Sequence, residues 1–155
     1  MAAFITFLRR LRGDSGAELV EFALTFPLLL LVVLGIVDFG LLFQRYEVIT
    51  NAAREGARIA ALPDYQSDLT TNVETRVYQY LDAANMTDGG RSVSVDGPTS
   101  VAVGPSCIAT YSVTVTYPET LSFVSGIIGY FGGSLPRTTV SATATMRAEA
   151  AAGGC

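Results

Sequence analysis

Phe22 to Phe43 reads FALTFPLLLLVVLGIVDFGLLF, 22 residues interrupted by a single charge at Asp38. At a helical rise of about 1.5 Å per residue such a segment spans roughly 33 Å, enough to cross a bilayer core. A helix apolar on all sides must be covered on all sides, and a chain of 155 residues has no core wide enough to surround one. The segment therefore reads as a transmembrane helix. Pro27 falls in its first turns, where a lost backbone bond is tolerated better than at mid-helix. Asp38 lies between one and two turns from the far end, close enough to the interface for water or a partner to satisfy it.

A removable secretory signal would have a basic start, an apolar core of about 7–15 residues and a small-residue cleavage site behind it. The basic start is present at Arg9, Arg10 and Arg12, but the apolar run is too long. No Ala-x-Ala pair follows it before residue 66, so the segment reads as retained. Orientation is not settled by counting positive charge: Arg9, Arg10 and Arg12 precede the segment, and Arg45, Arg54 and Arg58 follow it. The first three crowd into a short tail, whereas the later three alternate with Glu47 and Glu55 along a helix. The C-terminal part is rich in strand-like Thr, Ser and Val and carries both cysteines, which suits an oxidising compartment. The expected topology is N-terminus inside, C-terminal domain outside.

From Ala17 to about Leu62 only Pro27 and scattered glycines interrupt a helical pattern, and Pro63 closes it. Beyond the bilayer this helix turns amphipathic. Its small residues fall in rows four apart, Ala52, Gly56 and Ala60 beside Ala53, Ala57 and Ala61, spacing that lets two helix backbones approach closely. A plain alanine-rich helix of high propensity accounts for the same rows equally well. Leu69, Val73, Val77, Tyr80, Leu81 and Ala84 then mark one face of a second helix ending near Asn85.

Strand-like runs follow at 92–95, 108–117 and 138–146. In the second, Tyr111, Val113, Val115 and Tyr117 alternate with Ser112, Thr114 and Thr116. In the third, Val140, Ala142, Ala144 and Met146 alternate with polar residues. Between those two runs lies an apolar stretch whose Gly126, Gly129, Gly132 and Gly133 argue for a short helix or packed loop. The fold class is α+β: a long N-terminal helix, then over 63–155 a small domain with a second helix and an antiparallel sheet. A bond between Cys107 and Cys155 would close a loop of nearly 50 residues, worth about 4 kcal/mol in the chain-entropy model; two unpaired thiols are the alternative.

The absence of His removes every imidazole base and every His-ligated metal site, and two cysteines cannot make a zinc site alone. No phosphate-binding glycine loop and no nucleophile elbow is present. A net charge of −4 argues against nucleic acid as a partner. The chain is expected to be no enzyme, with no cofactor and no metal. The one chemistry its residues suggest is done to it, at the membrane boundary. Gly16 follows the basic tail, and Glu21 stands where the apolar run begins, a depth at which a lone carboxylate is costly. A cut after Gly16 would give Ala17 a free amine, one helical turn from Glu21 or facing it from a neighbouring subunit. Such a pair at low dielectric would favour one axial register of packed helices. Glu21 resting unpaired among headgroups is the other reading of the same spacing.

Residues 13–61, above all GAELVEFALTFPLLLLVVLGIVDFGLLFQRYEVITNAAREGARIAAL, resemble the TadE family of pilin-like proteins, part of the tight-adherence (Flp-type) branch of type IV pilus and secretion machineries. The VEFAL…P…G…DFG segment and NAAREGAR carry the likeness, and TMRAE at 145–149 is similar to endings common in the family.

The resemblance implies a pilin-like precursor that an inner-membrane prepilin peptidase cuts between Gly16 and Ala17. Residues 1–16 would then be a cytoplasmic leader, and 17–62 the long helix with its membrane segment at about 22–43. Glu21 would take the family's assembly role at the fifth mature position. Phe22 stands where the major Flp pilins have Tyr, and the chain is much longer than those subunits. Both features point to a minor pilin, or pseudopilin, assisting pilus assembly, adherence or secretion. The partners implied are the peptidase, other pilins and the inner-membrane pilus assembly platform. The location implied is the bacterial inner membrane, with a periplasmic or extracellular domain that can enter the pilus. An uncleaved single-pass anchor displaying a binding or adaptor domain is the alternative. Loss of the leader removes three arginines and one aspartate, taking the net charge from −4 to −6.

Overall fold

The computed structural model describes residues 14–104, 106–130 and 132–149; the expected leader up to Gly13 and Cys155 lie outside them. The elements run α1 (Asp14–Ala61), a 3-10 turn (Pro63–Asp68), α2 (Leu69–Ala83), β1 (Ser92–Val103), β2 (Ser106–Glu119), α3 (Ser122–Tyr130) and β3 (Thr138–Arg147). The class is α+β, and the long apolar helix, second helix and antiparallel sheet stand where the sequence puts them. α1 starts three residues before the expected Ala17, and the glycine-rich stretch before β3 forms a short helix. The chain divides into two compact units, one holding residues up to Gly40 with Leu121–Ser134, the other Leu41–Thr120 with the chain from Leu135 on.

In the first unit the N-terminal part of α1 carries its apolar side chains outward all round. Leu24, Leu28 and Ile36 are 75, 69 and 68 % exposed, and Phe22 stacks on Phe26 at 5.3 Å between ring centroids. Only 6 % of its most apolar window is buried. An apolar surface of this extent is far beyond the patches that monomeric soluble proteins expose. Its length and composition fit a single-pass membrane anchor.

The second unit has two layers. Three antiparallel strands pair in the order β1-β2-β3, and the C-terminal part of α1 and α2 cover one face. β2 sits in the centre, so its alternation is the clearest: Tyr111, Val113, Val115 and Tyr117 are buried. On the opposite face the Ser112 and Thr145 hydroxyls meet at 2.7 Å, and those of Thr114 and Thr143 at 2.8 Å. β1 is longer than the expected 92–95 because the ladder slips between Asp96 and Thr99. That bulge takes Gly97 and Pro98 out of the pairing, so a proline without a donor does not end the strand. Gly97 has φ +127°, and a Cβ there would lie 2.7 Å from the Thr110 carbonyl oxygen.

From α1 come Ile49, Ala52, Ala53, Ala57 and Ala60, and from α2 Val73, Val77 and Leu81, all fully buried. Tyr80 and Ala84, expected on the same face of α2, are exposed, while Tyr78 packs on the core. The reason is a strict i, i+4 row at 73, 77 and 81; Tyr80 lies one position off it. The carbonyls at the end of α1 are closed by the chain itself. The Gln66 amide donates to Ala60 O at 2.9 Å and Leu62 O at 3.0 Å, and the Glu149 N–H donates to Ala61 O at 3.0 Å. The TMRAE end of the sequence therefore serves as a C-terminal stop for α1.

Candidate functional site

Gly16 and Ala17 lie near the described start of α1. Glu21 and Phe22 follow one turn later, both exposed. Among the described residues no cation or hydrogen-bond donor meets the Glu21 carboxylate. Any group that pairs with it comes from outside them.

Asp38 behaves differently. It is 4 % exposed, and its carboxylate is bound by backbone. The Phe123 N–H donates to both oxygens at 3.2 and 3.1 Å, and the Val124 N–H donates to Oδ2 at 2.8 Å. These are first-turn donors of α3, so Asp38 serves as that helix's N-terminal cap from a separate element. The sequence left Asp38 to water or a partner; the partner is a helix of the same chain.

The row Ala52, Gly56 and Ala60 is also taken up internally. A Cβ on Gly56 would lie 2.8 Å from Val77 Cγ2, 3.1 Å from Val113 Cγ1 and 3.3 Å from Val73 Cγ1. The small residues let α1 seat against α2 and β2, and the row offers no surface to another subunit. On the far side of α1 a shallow groove runs past Phe43, Tyr46, Glu47, Thr50, Asn51 and Arg54. Its Thr50 hydroxyl donates to Tyr46 O of its own helix at 2.8 Å.

Ion pairs also tie the second unit together. Arg45 donates to Glu119 Oε1, and Glu119 is 5 % exposed, with Oε2 lacking a partner among the described residues. Glu55 on α1 accepts from Arg58 Nη2 at 2.9 Å and from Arg76 Nη2 on α2 at 2.7 Å. Hydrogen bonding from Arg58, and then from Arg76, holds the Glu55 carboxyl down at about 2, against an ordinary 4.5. A depressed folded value means the stabilisation is whole above the ordinary value and is lost as pH falls from about 4.5 toward 2. The thermal midpoint of the full chain in micelles should therefore drop over that window more steeply than that of Glu55→Gln. Parallel pH curves for the two proteins would show that the cluster contributes nothing.

Cys107 lies on β2 and is buried; its expected partner Cys155 is outside the described residues. Among the described residues no cluster of three or more Cys, Asp or Glu side chains is placed to hold a metal ion. Glu119 is the residue that sequence reasoning did not single out, and Asp38 was noted there without its partner. The available signal was that each is an isolated charge at the edge of an apolar run, with no hint of what it would meet.

Residues 16–58 match the family model described as TadE-like protein. The match covers 43 of the 155 residues and agrees with the likeness carried by VEFAL…P…G…DFG and NAAREGAR. No curated protein and no solved structure matches the chain.

Proposed function

We propose that a chain whose residues 16–58 are TadE-like serves as a minor pilin or pseudopilin of a tight-adherence pilus, made as a precursor and cut between Gly16 and Ala17. The observation that carries this reading is the match lying over a helix long and apolar enough to cross a membrane. In this reading the arginine-rich leader stays in the cytoplasm, where a prepilin peptidase reaches it. The α+β unit stands outside the inner membrane, and the cut subunit is handed to the assembly platform and other pilins. A Cys107–Cys155 bond would belong with that outer location. No catalysis enters the role.

Mass spectrometry of the protein taken from its host tests the proposal. A mature N-terminus at Ala17 is expected. An intact residue 1 in functional protein would reject processing and leave the uncleaved anchor.

Exposure of Glu21 without a partner among the described residues supports its proposed part in assembly. The amine created on Ala17 supplies a cation of the right sign at the right level, on this chain or on a neighbour. Glu21→Ala should leave cleavage largely intact while incorporation into the pilus falls severalfold, measured as the ratio of pilus-associated to membrane-bound protein. Normal incorporation would dismiss the pairing role.

A further inference from the structure

The apolar stretch before β3 leaves one face without cover from the protein. From residue 120 to 136 the chain carries no charge, between Glu119 and Arg137. Its helix α3, Ser122–Tyr130, has no fully buried residue. Phe123 is 45 % exposed, and a Cβ on Gly126 or Gly129 would meet nothing within 4 Å. Val124, Ile127 and Ile128 are half-buried, so in water one face of this apolar helix would stand uncovered. α3 belongs to the same compact unit as the N-terminal part of α1, however, and Asp38 holds its first turn. Asp38 lies five residues, about 7.5 Å, before the end of the apolar run at Phe43. Helices that lie in a membrane interface sit about 5–10 Å deep.

Backbone accounting points the same way. Lipid offers no hydrogen bonds, so a helix end within it must be closed by protein. Asp38 closes the N-terminus of α3. At the C-terminus the Gly132 N–H donates to Gly129 O at 3.0 Å and the Gly133 N–H to Ile128 O at 2.9 Å, with Gly132 at φ +78°. That is the double closure of a Schellman turn. A carboxylate and a helix N-terminus, each costly alone at this depth, satisfy one another.

We propose that α3 lies in the bilayer interface beside the C-terminal end of the transmembrane segment, its exposed apolar face covered by lipid. The inference rests on the membrane reading of residues 22–43, and the test separates the two. The chain has no Trp, so single replacements report without background. Val32→Trp, Phe123→Trp and Tyr65→Trp are made in the full chain and reconstituted into phosphatidylcholine vesicles, with brominated acyl chains or aqueous acrylamide as quencher. Val32→Trp and Phe123→Trp should both be quenched by the brominated lipid, and Tyr65→Trp by acrylamide alone.

If Phe123→Trp behaves like Tyr65→Trp while Val32→Trp is lipid-quenched, the proposal falls and the membrane segment stands. If Val32→Trp escapes lipid as well, the membrane reading itself fails. Protection of Phe123→Trp from both quenchers would mean that protein covers α3, which also overturns the proposal. Asp38→Ala should lower lipid quenching of Phe123→Trp at least twofold and leave that of Val32→Trp unchanged. Asp38→Asn, which keeps one acceptor oxygen for the first turn, should fall between. Equal quenching in all three backgrounds would remove Asp38 from the proposal.

Discussion

Gly56→Leu is expected to leave the C-terminal unit unfolded at ordinary temperature. Gly56 faces three β-branched side chains from two elements, Val73 and Val77 of α2 and Val113 of β2, each fully buried. Already a single Cβ would stand 2.8 Å from Val77. Valine is short and stiff at χ1, so none of the three can swing aside without displacing its own backbone. Overpacking of this kind costs about 3 kcal/mol or more when several heavy atoms are added, a large part of the stability of a small domain. Gly56→Ala should be far milder, because about 1 kcal/mol of helix propensity offsets the single contact. Gly40→Ala, where a Cβ meets nothing within 4 Å, should be neutral or slightly stabilising in the isolated subunit. Thermal melting and protease resistance of the full chain in micelles measure all three. A Gly56→Leu protein melting within about 2 °C of the parent would show that α1 can move away from α2 and the sheet at no cost.

The second large effect is on maturation. Gly16→Leu should take leader removal from complete to undetectable, read as the mass of the protein recovered from its host. The proposed scissile bond lies near the described start of α1, so the chain would have to unwind locally to enter a peptidase site. Glycine favours that opening, since it gains the most backbone freedom and is about 1 kcal/mol worse in a helix than most residues. Leucine stabilises the turn and adds a bulky side chain beside the bond to be cut. Retention of the leader keeps its three arginines at the membrane surface and leaves Ala17 without the amine that Glu21 would meet. Pilus incorporation should therefore fail together with cleavage. A Gly16→Leu protein that still begins at Ala17 would move the recognition determinant elsewhere.

The long apolar helix was legible because its signal is local: 22 residues with one charge leave few folds open. The strands 108–117 and 138–146 and the 73–77–81 row were legible for a similar reason, since alternation and helical spacing act within a few residues. The small-residue row illustrates the boundary. Its spacing allowed a close approach to α1 without requiring one, and the approaching surface is α2 and β2 of the same chain, which no periodicity names. Asp38 goes further, because its partners stand 85 and 86 residues away and are backbone N–H groups common to every helix start.

The sequence alone therefore determined the main elements, their class and the long apolar segment. Each rests on hydrophobicity and spacing between near neighbours. Only the tertiary structure decided what the isolated charges meet: Asp38 the first turn of α3, Arg45 the carboxylate of Glu119, Glu55 the arginines of two helices. A charge in an apolar setting must find a partner wherever the chain brings one, and that place is set by how the elements pack, not by the residues beside it.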